Sequence, residues 1–455
     1  MPVSPARAAA FDILLRVERE SSYAAELLHS STYRHLSTGD HALATELVMG
    51  VLRWRSILDD KISTESSQPI KKLDLEVLIA LRLAIYQFGW LTRVPHHAAL
   101  NESVELTKRA RKRSAAGFVN AVLRKLSQQP LGPPACPERS RRVTPVVKGV
   151  SPQAIAKSCA HPLWLTERWS EQYSLDAMQK ICEHNQSVPS TALRLRTPAA
   201  EEELTKDGIS VEPGGLLASA RRVISGDVPK TKPFRNGHVV IQDEASQLIA
   251  ALIGPGHERI LDCCAAPGGK TLAIADQNPQ AAITAVEIHA HRTRLMKKLF
   301  PGNAQQIQVL TADARHLPLT QQFDRVLADV PCSGTGTLAR NPEIKWRLQS
   351  SDLSELHYRQ VAILRSAVSH LKPAGRLIYS TCSLEKEENE DVVEEIPGSD
   401  SNLRLVDCRE ELDRLRAAGV LTWPDVASLT RGPYLRTIPG IHPCDGFFAA
   451  IIERR

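Results

Sequence analysis

The chain has 455 residues, 42% hydrophobic and 24% charged, with a net charge of +6. That is enough for two to four domains, each with its own core, and is the balance of a soluble globular protein rather than a membrane or disordered one. The charge permits a polyanionic partner without requiring one. The apolar run 73–91 is interrupted by Asp74 and Arg82, so no membrane span is expected. The start, MPVSPARAAAFDILLRVERE, has charges among its apolar positions and no cleavage-type sequence, so no secretory leader is expected. Nine cysteines without a C-x-x-C pair argue against a disulfide framework or zinc site and point to a reducing cytoplasm.

Residues 1–130 read as all-helical. ARAAAFDILLRVERE, HALATELVMGVLRW, LDLEVLIALRLAIYQF, AALNESVELTKRA and GFVNAVLRKL all repeat apolar residues at helical spacing. KRARKR at 108–113 is five-sixths basic, and two readings stand level: a solvated helix end or a phosphate-contacting patch. Residues 131–152 are proline-rich and without helical period, and read as a linker or insertion. Its Arg139, Arg141 and Arg142 are within reach of nucleic acid only if the segment has a function, and a tolerated insertion is the plainer reading.

Residues 153–240 are expected to form a small α+β unit: a helix in HPLWLTERWSEQY, a strand in TALRLRT, and a short helix EEELTKDG ended by Gly208. Trp164 and Trp169 are expected in its core. Residues 241–455 alternate strand and helix, the pattern of a mostly parallel α/β sheet. Strands are expected at 258–262, 282–287, 306–310, 323–329 and 375–381, and a helix at 351–371. The last segment, DGFFAAIIERR, is expected as an edge or antiparallel strand.

The chemistry centres on RILDCCAAPGGKT, residues 259–271. A strand, a small-residue turn and a helix N-terminus make a site for an anionic or nucleotide-like ligand. The P-loop and dinucleotide glycine patterns are both absent. Glu287, Asp313 and Asp329 close the next three strands, at the carboxyl edge where open sheets bind ligands. An acid there can take a ribose diol or an exocyclic amine, which makes S-adenosylmethionine the natural ligand. Cys332 and Cys382 lie in turns on the same edge. Free cysteine is usually buried filler. Beside a methyl donor, however, a thiolate that adds to carbon 6 of a pyrimidine activates carbon 5 for methylation. Cys382 is expected to gain a depressed pKa from a nearby helix start.

CCAAPGGKT, DVPCSGTG, STCSLEKEENE and the terminal DGFFAAIIER resemble the motifs of the NOL1/NOP2/Sun family of RNA cytosine-5 methyltransferases. The helices with PHHAALNESVEL and GFVNAVLRKL resemble a NusB-type RNA-binding domain, which narrows the resemblance to the Sun/Fmu type. The resemblance implies a multidomain chain: a NusB-like all-α domain, a small α+β middle domain and a Rossmann-like α/β methyltransferase domain. It implies a donor site of Cys264, Ala265, Ala266, Pro267, Gly268, Gly269, Lys270, Glu287, Asp313 and Asp329. It makes Cys382 the nucleophile and Cys332 the residue that helps release product; in the reaction so read, Asp329 is expected to stabilise the protonated ring nitrogen. Many members have Asp where this chain has Glu287. The implied partner is 16S rRNA, with no DNA, no membrane and no metal, and the chain is expected to be a monomer. Two rivals are a DNA cytosine-5 methyltransferase, with Cys332 as nucleophile, and a non-catalytic RNA-binding assembly or antitermination factor.

Overall fold

The computed structural model describes residues 3–20, 22–132, 151–256, 258–300, 305–396 and 402–455. The expected linker, with Arg139, Arg141 and Arg142, lies largely outside the described residues. The chain divides into two compact units, Met1–Val188 with Leu338–Arg347, and Pro189–Thr337 with Leu348–Arg455.

The first unit begins with helices Pro5–Glu20, Ala24–Leu28, Thr38–Glu65, Leu75–Trp90, His96–Arg109 and Ala116–Leu126. Their apolar faces share one core that includes Phe11, Leu14, Leu47, Leu58, Ile79, Ile85, Leu106 and Leu123. The Asp74 and Arg82 interruptions are absorbed by geometry. Asp74 is the residue before helix Leu75–Trp90, and Arg82 is buried but forks onto Asp59 at 2.7 and 2.8 Å. Three further helices, Pro152–Ser158, Leu163–Gln172 and Leu175–Gln186, belong to this unit. So does Leu338–Arg347, where Ala339 O accepts from Arg53 at 3.0 Å and the Trp346 indole donates to Leu52 O at 2.6 Å.

This arrangement corrects the expected middle domain over 153–240. Its helical half packs with the first unit and its strands with the second. Periodicity reveals a helix's apolar face but not which neighbour covers it. Trp169 is fully buried, as expected, whereas Trp164 is only half-buried.

In the second unit, strands β1 Ala192–Leu195, β2 Ser210–Pro213, β3 Ala220–Ser225 and β4 Val239–Ile241 form an antiparallel sheet of order β2-β3-β1-β4. Arg194 of β1 and Arg196 just after it both hold Asp276, at 2.6 Å each, on the helix Gly269–Gln277. The larger sheet is built from β5 Arg259–Asp262, β6 Ala282–Glu287, β7 Ile307–Thr311, β8 Phe323–Asp329, β9 Leu371–Thr381, β10 Leu403–Val406, β11 Thr430–Arg431, β12 Tyr434–Thr437 and β13 Phe447–Arg454. Its order is β11-β12-β13-β9-β8-β5-β6-β7, with β10 also on β13. The five strands β7-β6-β5-β8-β9 are parallel, and β13 is antiparallel to β9. The fold is Rossmann-like.

The expected strands match these closely, with two differences. The strand β9 starts at Leu371, before the positive φ of 57° at Ala374, and its register on β8 shifts there. That bulge hides its first residues from a pattern search. The strand β13 is antiparallel but not an edge, since β9 and β12 flank it. Its unbroken run FFAAII is buried, as an interior strand requires. Strand order reverses between β5 and β8, and ligands of open α/β sheets bind at such switch points. Among the described residues no helix is long and apolar enough to cross a membrane, and no cluster of His, Cys, Asp or Glu is arranged to hold a metal.

Candidate functional site

The turn after β5 is held on both sides by the sheet. Cys263 N donates to Leu327 O of β8 at 2.9 Å, and Ala265 N donates to Val286 O of β6 at 2.8 Å. The Ala266–Pro267 peptide is cis, and Gly268 takes a positive φ of 108° that a side chain would resist. Gly268 then caps the helix Gly269–Gln277.

Beside this turn lies a cavity of about 330 Å³. Cys264, Glu287, Asp313 and Pro331 line it, so three of the expected donor-site residues meet there. Glu287 is buried, and its carboxylate accepts from His289 N at 2.7 Å. Asp313 accepts from Arg315 N at 2.9 Å and pairs with the Arg315 guanidinium at 2.6 Å. The hydrogen bond from the Arg315 side chain holds the Asp313 carboxyl below the usual range.

Lys270 and Asp329 do not line that cavity. They pair with each other instead, Lys270 Nζ to Asp329 Oδ2 at 2.8 Å, and Ser380 donates to Asp329 Oδ1 at 2.7 Å. Burial works to lower the Lys270 pKa. The charge and hydrogen bond of Asp329, with the contributions of Cys382 and Asp262, together outweigh it, and the ammonium is held above its ordinary value. Lys270 also lies over the Phe447 ring, 5.0 Å from its centroid.

The sulfurs of Cys332 and Cys382 are 3.3 Å apart. The sheet explains this: β8 and β9 are parallel neighbours, paired to Asp329 and Ser380, and each cysteine follows its strand end. The hydrogen bond with Cys382, and then burial, push the Cys332 thiol well above its ordinary value. After Cys382 the chain runs through Ser383, Leu384 and Glu385 into a single 3-10 turn, Lys386–Glu388. The cation whose charge couples to Cys382 is Lys270.

Sequence reasoning missed Glu388. It is fully buried and accepts from Ser333 N at 2.7 Å, Ser383 Oγ at 2.5 Å, Gln360 Nε2 at 2.9 Å and also Ser333 Oγ. The signal was the run EKEEN after Cys382, which reads as a solvated charged loop. The basic run 108–113 lies on the surface of the first unit, and three of its cations already face acids: Lys108 with Glu105, Arg109 with Asp12, and Lys112 with Asp74.

Comparison with known proteins adds three findings. A family model described as 16S rRNA methyltransferase RsmB/F matches residues 250–453, and one described as NusB family matches residues 4–128. The chain is 31% identical over 471 residues to a Bacillus subtilis protein named probable ribosomal RNA small subunit methyltransferase B, covering 100% of each. It is also 31% identical over 434 residues to the ribosomal RNA small subunit methyltransferase B of Cronobacter sakazakii, covering 92% of each. In fold it resembles the crystal structure of PH0851, with a TM-score of 0.78 at 21% identity over 100% of both chains. It also resembles NSun6 from Pyrococcus horikoshii, determined with SFG, with a TM-score of 0.52 at 19% identity over 63% of this chain and 97% of that one.

Proposed function

Since the chain belongs to the 16S rRNA methyltransferase RsmB/F family, with a NusB-family domain ahead of the methyltransferase domain, we propose that it methylates carbon 5 of a cytosine in 16S rRNA from S-adenosylmethionine, with Cys382 as covalent nucleophile. The observation that carries this reading is the pair of sulfurs 3.3 Å apart beside the Lys270–Asp329 ion pair.

The residues present fit the donor. The cavity volume suits a small-molecule site, and its acids suit a ribose and an adenine amine. Glu287 would hold the ribose, Asp313 the adenine amine, and the Cys264–Gly269 turn the remainder. Bound there, S-adenosylmethionine supplies an electrophilic methyl group.

The chain's own groups supply the rest. Cytosine carbon 5 is a poor nucleophile while the ring is aromatic. The Cys382 thiolate forms a bond to carbon 6, and the electron pair of the 5,6 double bond makes carbon 5 an enamine carbon. Asp329, held by Lys270, stabilises the protonated ring nitrogen. After carbon 5 is methylated, loss of its proton restores the double bond and breaks the carbon–sulfur bond. Cys332, the sulfur in contact with Cys382, serves that release. The target base must leave its stack to expose both faces of the ring. The first unit, with the basic run 108–113, supplies phosphate and shape contacts to folded RNA.

The test is methyl incorporation into 16S rRNA and into DNA, followed by nucleoside mass spectrometry. Product appearing only in RNA, as 5-methylcytosine, supports the reading. Methylation of DNA alone, or of a different base atom, overturns it.

A further inference from the structure

Ser333 follows Cys332 in the turn after β8, and Ser383 follows Cys382 in the turn after β9. Regular pairing of the two strands ends at Asp329 and Ser380, and one more backbone bond, Val330 N to Ser380 O at 2.9 Å, continues it. Past that point the strands no longer fix the spacing of the two turns. A few bonds bridge them. Gly336 N donates to Cys382 O at 2.9 Å, and Leu384 N donates to Thr335 Oγ1 at 2.8 Å. The residues next to the cysteines themselves are joined through one carboxylate, that of Glu388.

We propose, building on the reading of Cys382 and Cys332 as the reacting pair, that Glu388 is a positioning residue: it clamps the two cysteine turns together through Ser333 and Ser383 and so sets the contact between the two sulfurs. Oε1 takes the Ser333 N–H at 2.7 Å and the Gln360 amide at 2.9 Å. Oε2 takes the Ser333 and Ser383 hydroxyls, the latter at 2.5 Å, and the two hydroxyl oxygens are 3.0 Å apart. An ionised carboxylate has about four acceptor positions, and donors fill all four here. Burial raises the Glu388 pKa, and the serine and Gln360 donors oppose that rise. The clamp is itself anchored. Tyr379 of β9 donates to Glu388 O at 2.6 Å, and Asn389 joins Thr381 Oγ1 at 2.6 Å to Ser383 O at 3.0 Å. Glu388 touches neither Glu287 nor Asp313, so losing it should disturb the sulfurs and spare the donor.

The experiment uses the full chain and three readouts: donor affinity by calorimetry, kcat with 16S rRNA, and the rate at which diamide links Cys332 to Cys382. In that linkage both thiols lose hydrogen to diamide, which is reduced to the hydrazine, and peptide mass spectrometry reports the disulfide. Glu388→Ala should slow cross-linking and lower kcat, each by about tenfold or more, because displacements near 1 Å cost rate on this scale. Donor affinity should be unchanged. Glu388→Gln, which keeps the Oε1 acceptor and leaves the serine hydroxyls free to turn and accept, should recover much of both. Cross-linking at the wild-type rate in Glu388→Ala overturns the clamp. So does a loss of donor affinity equal to the loss of kcat. If Glu388→Ala does not fold, the Ser333→Ala/Ser383→Ala pair decides on the same readouts. Cross-linking needs no RNA chemistry. A wild-type enzyme whose sulfurs link rapidly but whose product is not 5-methylcytosine would therefore sink the proposed reaction and leave the clamp standing.

Discussion

Lys270 Nζ and Asp329 Oδ2 lie 2.8 Å apart, joining the helix after β5 to the end of β8. The two side chains keep 15% and 22% of their surface, so this is a mostly buried pair. Removing one partner strands the other's charge, at somewhat less than the roughly 3–5 kcal/mol seen for fully buried pairs. Lys270→Met should therefore lower stability by about 2–3 kcal/mol, and Lys270→Met/Asp329→Asn should restore most of it. Neither variant should methylate RNA. Denaturant melts beside methyl-transfer assays check this, and an active double variant would contradict the role given to the pair.

Asp313→Ala should weaken donor binding by about 1.5–3 kcal/mol, the scale of a hydrogen bond to a charged group. Titration calorimetry with S-adenosylmethionine measures it. Unchanged affinity would remove Asp313 from the adenine contact and leave it only as the partner of Arg315.

Neutralising Lys108, Arg109, Arg111, Lys112 and Arg113 should weaken rRNA binding and flatten its dependence on salt, with donor affinity unaffected. The exposed ion pairs of Lys108 and Arg109 do not preclude this. Such pairs are worth about 0–1 kcal/mol, and phosphates can replace the acids. An unaltered salt slope would mark the run as a solvated helix end.

Asp262 predicts a pH effect. Burial is the main reason its pKa rises to about 7; Thr271, donating at 2.8 Å, opposes the rise, and the nearby Asp329 charge adds to it. A folded-state pKa above the unfolded one favours folding while the group is protonated. That contribution is complete below pH about 4 and is lost as pH rises through about 7. Asp262→Asn cannot ionise. Between pH 4 and 8 the variant should gain stability relative to wild type, by at most about 4 kcal/mol for a shift of roughly three units. Urea melts of both proteins across that range would show parallel curves if Asp262 does not titrate there.

The parallel core was legible because buried strands are short apolar runs with clear ends. VLAD before Val330 and Pro331, and TAVE before Ile288, both stop where the strands stop. The acids at those ends followed directly, and Cys264, Glu287 and Asp313 do meet in one cavity. Three things were hidden. Helices 152–186 have an ordinary apolar period, which carries no information about which unit covers them. The Lys270 side chain was read with the donor turn, yet it reaches Asp329, since a helix-start residue can point to either side of its turn. Glu388 lies in a charged run that looks solvated, and only the turn of Lys386–Glu388 carries its side chain inward to the two serines.

The most direct test of the central claim is denaturing electrophoresis of enzyme mixed with target RNA and S-adenosylmethionine, with methylation counted in the same tubes. Loss of the nucleophile and loss of the release group have different consequences. Cys382→Ala should give no methylation and no covalent complex. Cys332→Ala should accumulate an enzyme–RNA adduct that survives denaturation and disappears when Cys382→Ala is added. An adduct in Cys382→Ala but not in Cys332→Ala would reverse the two roles, and methylation by Cys382→Ala would contradict its place as the nucleophile.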